Sequence, residues 1–325
     1  MAHGQRSIAG AQNELTQLDV AAAAADAFLT VLASDEAVRA VRANVDRLEV
    51  FATTVRTLVR NQLRPGADES RADAELAIAR NQLSQAVQNA EIARVSLAAA
   101  IGAPDTAVQL TAGRLAELPE MPSVGTADVE THPAVRAQSA VVETARARER
   151  VVARSVFPRV TVQSVFANRG SGAQVPGQPP PRNGLWPEFS NWAAGVTVTF
   201  PFFDVFAVAP RKRVEVQNEL AASARYEQTI QDLTAQDARA RALMKAASDI
   251  AQNTPVERRA ASAAESQARA RYQNGLASIT EVAEAQRLLA QGEADDAVAR
   301  LGVWRALLAA AQVRGDVSSF LDKTQ

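Results

Sequence analysis

The chain has 325 residues, 47% of them hydrophobic but only 5% aromatic, with alanine the largest single contributor. Its 35 basic and 36 acidic residues leave a net charge of −1, so no bulk electrostatic attraction favours nucleic acid. The absence of cysteine excludes disulfides, thiolate metal sites and thiol nucleophiles. Alanine is the best helix former and a poor core filler, so this composition points to long, closely packed helices.

The N-terminal residues MAHGQRSIAGAQNEL contain no apolar signal-like region. The most apolar run, DVAAAAADAFLTVLASDE, is interrupted by Asp26 and is too short and alanine-rich to read as a membrane-spanning helix. From about residue 6 to 62 there is no proline and one glycine, Gly10. Leu15, Leu18, Ala22, Ala25, Leu29 and Leu32, and after a slip Val38, Val41, Val45, Leu48, Ala52, Val55 and Val59, keep heptad spacing. That spacing predicts a coiled-coil seam. LRPGADES (63–70) breaks the helix, and a second helix, roughly 68–101, returns to Gly102-Ala103-Pro104. Pro104, Pro119, Pro122, Gly113 and Gly125 make 103–131 a connector. A helix follows to about Ser155, with Thr131 as the expected N-cap and Pro133 in the first turn.

The texture changes at Phe157. FPRVTVQSVFAN places Val160, Val162 and Phe166 on one side of a strand, and in NWAAGVTVTFPF the residues Trp192, Ala194, Val196, Val198 and Phe200 alternate with small and polar ones. Each run is long enough for a tilted transmembrane β-strand, which needs about 9–11 residues. Two strands do not form a stable sheet alone, so others are expected from other subunits. Helical texture resumes from Arg211 to about Asn274, with a kink or restart at Thr254-Pro255. Gly275 interrupts it, and a last helix runs from about Ile279 to Arg314 and stops at Gly315. The expected segments are 1–102 (first helical hairpin), 103–131 (connector), 132–155 (helix), 156–203 (β-hairpin with a loop at 168–190), 204–315 (second helical hairpin) and 316–325 (tail).

Residues 63–102 align with 276–315 at a constant offset of 213: Leu63 falls on Leu276, Leu76 on Leu289 and Gly102 on Gly315. The tetrapeptide Gln-Asn-Glu-Leu occurs at 12–15 and again at 217–220. A shared helix–break–helix–Gly order with a shared tetrapeptide indicates two homologous halves. The second half carries a helix and a strand hairpin ahead of its long helix that the first half lacks.

FPRVTVQS, VTVTFPFFD, RYQNGLASITEVAEAQRLLAQGEADDAVAR and NQLRPGADESRADAELAIARNQLSQA, in this order, resemble the TolC-like outer-membrane efflux factors over about residues 6–315. The resemblance implies a mainly α fold: long antiparallel coiled-coil helices forming an α-helical barrel, plus a β-hairpin contributing to a trimeric outer-membrane β-barrel. It implies a homotrimer without cofactor, partnered by a periplasmic adaptor and an inner-membrane pump, in contact with outer-membrane lipid. The function implied is the passive exit duct of a tripartite efflux or type I secretion system, located in the outer membrane with a periplasmic tunnel. Against the family's order this chain is expected to be N-terminally truncated, lacking the signal and first strand hairpin. The alternative is a soluble coiled-coil scaffold or adaptor-like protein.

The resemblance assigns candidate adaptor-docking tips at Leu63, Arg64, Gly275 and Leu276. Gln62 stands where the family usually has glycine. It assigns candidate gate acids at Glu281, Glu284 and Asp68. Trp192, Val196, Val198 and Phe200 are the candidate lipid-facing strand, with Trp192 and Trp186 as interfacial aromatics. Arg211-Lys212-Arg213 reads as a solvated barrel-to-helix junction, and Glu293, Asp295 and Asp296 as a solvent-facing acidic cluster. His3 and His132 are isolated from any ligand-spaced partners. With no phosphate loop or nucleophile motif, an enzyme is not expected.

Overall fold

The computed structural model describes residues 2–104, 110, 113–119, 127–169, 176–177, 189–201 and 205–324. The elements in order are α1 (Ala2–Arg60), α2 (Gly66–Ala100), α3 (Pro133–Ala153), β1 (Arg159–Arg169), β2 (Phe189–Thr199), α4 (Val205–Gln273), α5 (Ile279–Val313) and α6 (Ser318–Thr324). Short 3-10 turns occupy Gly113–Ala116, Val129–Thr131 and Arg154–Val156. The chain divides into two compact units, one of residues 1–5 and 140–225, the other of residues 6–139 and 226–325.

In the larger unit the heptad seam of α1 does what its spacing predicts. None of its thirteen positions is exposed, while the off-seam Val20 and Val50 are. Leu18, Ala22, Leu29 and Leu32 pack with Met244 of α4, Leu301, Trp304 and Leu307 of α5, and Phe320 of α6. Helix α1 is long and apolar enough, by length and composition, to cross a membrane, and its seam residues Leu18, Ala22, Leu29 and Leu32 are buried in this core. A second core lies at the opposite end of the seam, where Val45, Leu48, Phe51, Ala52 and Val55 meet Leu76, Ala79, Tyr272, Ile279 and Val282. The segment expected to be a tail forms α6. Val317 and Phe320 are buried there, and Phe320 meets Trp304 edge-on at 6.0 Å. The Trp304 indole Nε1 donates to the Glu117 carbonyl at 3.0 Å, anchoring the connector.

Three expectations are corrected. Thr131 does not cap α3: it ends a 3-10 turn, and its hydroxyl donates to the Asp128 carbonyl. His132 takes the capping role, its Nδ1 accepting from the Ala134 N–H at 3.1 Å. No restart occurs at Thr254-Pro255, because α4 runs unbroken from Val205 to Gln273 and also begins earlier than Arg211. Two acids of the expected solvent-facing cluster turn to neighbouring helices, while Asp295 bonds to Gln291 of its own helix. Glu293 forms a two-pronged pair with Arg47 of α1 (2.6 and 3.1 Å), and Asp296 pairs with Arg258 of α4 at 3.2 Å. Helices α5 and α4 lie close at this level, since a Cβ at Gly292 would sit in ordinary van der Waals contact with the Arg258 backbone at 3.5 Å.

In the smaller unit β1 and β2 pair antiparallel, Val160 opposite Val198, Val162 opposite Val196, Ser164 opposite Ala194 and Phe166 opposite Trp192. Side chains alternate across a strand, so these eight residues share one face. The other face carries Thr161, Gln163, Val165, Ala167, Ala193, Gly195, Thr197 and Thr199. Phe200 stands one residue beyond the end of β2. The loop between the strands, Trp186 included, lies almost wholly outside the described residues.

Candidate functional site

Both helical hairpins turn through the same backbone motif. At the first tip the Leu63 N–H reaches back to the Leu58 carbonyl (2.9 Å) and the Gln62 N–H to Val59 (2.9 Å). At the second, Leu276 reaches Arg271 (2.8 Å) and Gly275 reaches Tyr272 (3.0 Å). This pair of bonds is the Schellman ending of a helix, which needs a left-handed residue. Gly275 supplies it at φ 78° and Gln62 at φ 58°, so the glycine-to-glutamine departure keeps the geometry. The cost for a residue with a Cβ is about 1–2 kcal/mol. The turn then presents Leu63 and Leu276 to solvent, 67% and 69% exposed.

The helices that follow begin differently. Ser278 caps α5: its Oγ accepts from the Glu281 N–H, and a Glu281 carboxylate oxygen accepts from the Ser278 N–H, both at 3.3 Å. Glu281 also lies 3.5 Å from Arg271. At the start of α2 the cap residue is Pro65, with no side-chain cap bond. Asp68, three residues on, turns elsewhere: its Oδ2 accepts the hydroxyl proton of Tyr272 at 2.8 Å.

Tyr272 joins the two tips. Its side chain is fully buried, its ring centroid 5.7 Å from that of Phe51. The Arg64 guanidinium lies 4.1 Å over its ring centroid and donates to its carbonyl oxygen. A guanidinium over an aromatic face contributes about 0.5–2 kcal/mol, more as water is excluded. Burial first, then the hydrogen bond to Asp68, push the Tyr272 hydroxyl far above the usual phenol range, so it stays a donor at every physiological pH.

The sequence candidates therefore separate. Leu63 and Leu276 are exposed at the turns with Gly275. Arg64 and Asp68 are turned inward onto Tyr272. Glu281 is engaged in a cap. Glu284 is exposed and makes no ion pair or hydrogen bond among the described residues. Sequence reasoning missed Tyr272. Its rarity was the available signal, as one of two tyrosines in the chain and placed three residues before the break.

Further along the seam, Asn44 of α1 and Gln286 of α5 are buried beside a cavity of about 50 Å³ shared with α2. The Asn44 Oδ1 and both amide atoms of Gln286 have no hydrogen-bond partner. The cavity is wide enough for a water molecule between these polar groups. Helices α1 and α2 are joined by Arg56–Asp73, Arg80–Glu49 and Arg94–Asp35. These are partly exposed pairs, each contributing up to about 1 kcal/mol.

On the hairpin, the exposed apolar residues concentrate on the Val160–Trp192 face. Val162 is 75% exposed and Trp192 77%, with Val160, Phe166, Val196 and Val198 also open.

Residues 129–315 match the sequence profile of the family described as outer membrane efflux protein. No relative among curated proteins matches in sequence. Solved structures share the fold at low identity. A membrane protein from Pseudomonas aeruginosa superposes with a TM-score of 0.84 at 19% identity, over 96% of this chain and 71% of that one. The outer membrane protein VceC of Vibrio cholerae gives 0.79 at 18%, over 97% and 74%. The CmeC outer membrane channel of Campylobacter jejuni gives 0.81 at 14%, over 99% and 70%.

Proposed function

The chain belongs to the outer membrane efflux protein family, a family of channels rather than enzymes, and from that premise we propose that it forms the outer-membrane exit duct of a tripartite efflux or type I secretion system. In this reading the chain assembles as a homotrimer and receives its cargo from a periplasmic adaptor and an inner-membrane pump.

The observation that carries the reading is the two-faced hairpin. Its strands are 11 residues each, enough to cross a hydrocarbon core when tilted. One face is mainly valine, phenylalanine and tryptophan, interrupted by Ser164 and Ala194, and the other is mainly threonine, glutamine, asparagine, alanine and glycine apart from Val165. An apolar band toward lipid with a small, polar face toward a lumen is what a transmembrane barrel strand requires. A soluble scaffold would leave this apolar face in water without a reason. Spin labels at Val196 and Thr197 test the reading in lipid vesicles. Relaxation by oxygen is expected at Val196 and by a water-soluble nickel complex at Thr197, and water exposure at both would defeat it.

We further infer that Tyr272, Asp68 and Arg64 latch the second tip to the first, and that channel opening breaks this latch. Three side-chain contacts, from Asp68, Arg64 and Phe51, concentrate on Tyr272 at the tips. Exposed Leu63 and Leu276 beside Gly275 are then the docking contacts for the adaptor. Glu284, repeated by symmetry, is the acid that favours cations at the constriction, with Glu281 kept mainly as a cap. Tyr272→Phe combined with Arg64→Ala is expected to raise conductance of the reconstituted protein in a planar bilayer at unchanged helix content. Unchanged conductance would remove the latch.

A further inference from the structure

Because basic and acidic residues balance over the whole chain, a local excess is informative. From Arg146 to Arg159 there are five arginines, at 146, 148, 150, 154 and 159, against one acid, Glu149. From Val205 to Glu215 come Arg211, Lys212 and Arg213 against Glu215 alone. Two ion pairs hold these stretches side by side: Lys212 with Glu149 at 3.3 Å and Arg146 with Glu219 at 3.0 Å. The C-terminal end of α3 and the N-terminal end of α4 therefore bring their cations to one level.

Those pairs engage Arg146 and Lys212. Arg148, Arg150, Arg154, Arg159, Arg211 and Arg213 are all exposed, and their guanidinium groups make no ion pair or hydrogen bond among the described residues. Elsewhere in the protein arginines commonly find carboxylates, as at Arg47, Arg56, Arg80, Arg94 and Arg136. A group of unpartnered like charges repels itself and is stabilised by an external anion.

What lies next along the chain identifies that anion. Phe157 and Phe206 stand exposed beside the cations, and at Val160 the apolar face of the hairpin begins. Cation, then aromatic, then aliphatic is the order met on passing from water through headgroups into hydrocarbon. Guanidinium groups fit phosphate oxygens with paired, charge-assisted hydrogen bonds. We propose that these arginines form a collar that binds the phosphate headgroups of anionic phospholipids, in the leaflet from which α3 and α4 emerge. The proposal rests on the reading that the hairpin lies in a bilayer. The collar would set the depth of the hairpin by charge, below a band set by hydrophobicity.

The test uses the full chain in vesicles, reading tryptophan fluorescence against brominated phosphatidylglycerol and brominated phosphatidylethanolamine in competition. A preference for the anionic lipid of about fivefold or more is expected at low salt, the effect of roughly one arginine at a charged surface. It should shrink as added salt shortens the screening length. The triple variant Arg150→Gln/Arg154→Gln/Arg211→Gln keeps both α3–α4 ion pairs and should bring the preference close to one. The matching triple lysine variant should retain most of it, which separates charge from any fault in folding. Equal quenching by both lipids in the wild type, or a preference untouched by the glutamine changes, overturns the collar while the bilayer reading stands. Loss of binding to purified peptidoglycan in the glutamine variant, with the lipid preference unchanged, assigns the arginines to the cell wall and also overturns it. Quenching by neither lipid removes the bilayer reading, and the collar with it.

Discussion

At the first tip Gln62 holds the left-handed position and α2 starts behind Pro65 with no side-chain cap, whereas at the second Gly275 takes that position and Ser278 and Glu281 close a reciprocal cap on α5. Asp68 and Glu281 occupy equivalent places, 213 residues apart, each three residues into the cap geometry. One acid serves its own helix; the other crosses to Tyr272 of the opposite hairpin. Proline explains the difference. It has no N–H to accept a reciprocal bond from and no hydroxyl to offer, so the Asp68 carboxylate is left for another donor. Duplicated halves have kept their backbone turns and divided the chemistry: one acid closes the cap of its own helix, the other bonds across to the opposite hairpin.

The contrast can be pressed at the far ends of the same helices. Gly102 and Gly315, again 213 apart, both sit at positive φ (73° and 76°). A Cβ at Gly102 would meet nothing within 4 Å, while at Gly315 it would lie 2.6 Å from Pro133 Cδ. Gly315→Ala is therefore expected to cost about 2–4 kcal/mol, strain plus overpacking. Gly102→Ala should cost about 1–2 kcal/mol, from backbone strain alone. Thermal unfolding of the two variants decides it, and equal losses would mean that α3 does not press on Gly315.

At the tips, Asp68→Ala should destabilise by about 1–3 kcal/mol, because it strands a buried hydroxyl. Adding Tyr272→Phe should recover part of that loss. Glu281→Ala removes only half of a cap and should cost about 1 kcal/mol, with no coupling to Tyr272. Double-mutant cycles in denaturant measure both, and coupling of Glu281 to Tyr272 would erase the distinction drawn between the two acids. Smaller still, Gln62→Gly should raise stability by up to about 1 kcal/mol by relieving the left-handed strain, which makes the first turn like the second.

A last prediction concerns pH. The His132 Nδ1 accepts from the Ala134 N–H and its Nε2–H donates to the Gln312 carbonyl at 3.2 Å, so it is held neutral. Burial lowers its pKa from the ordinary 6.5, opposed by the Gln312 hydrogen bond and by Asp19. As pH falls below 6.5 the unfolded chain takes up this proton before the folded one does, so stability present at neutral pH declines until the folded histidine is protonated too. The Tm of wild type should fall more between pH 7.5 and 5 than that of His132→Gln, and parallel falls would show that this histidine contributes nothing.

The long seam was legible because a repeat of thirteen apolar positions states its own partner face, and all thirteen are buried or half-buried. The strand faces were legible for the same reason at period two. The contacts at the tips were only partly so. Asp68 and Tyr272 are 204 residues apart, and no local pattern announces a bond that depends on two tips meeting. Glu293 and Asp296 look like surface acids in a one-dimensional reading. Their partners Arg47 and Arg258 come from two other helices, far away in sequence. Thr131 lost the cap to His132 because an imidazole nitrogen can accept from the Ala134 N–H as a hydroxyl would.

Helices α2 and α5 are 35 residues each and match end for end at the offset of 213. Each residue of α-helix adds about 1.5 Å and about 100° of rotation. A single-residue insertion in one of them would slide its tip past Tyr272 and turn Asp68 off its bearing. The returning helices α2 and α5 have therefore kept one length, while the long helices that lead to the tips differ by eight residues between the Gln-Asn-Glu-Leu copies and the turns; an engineer who edits α2 alone should expect to lose the Asp68–Tyr272 bond first.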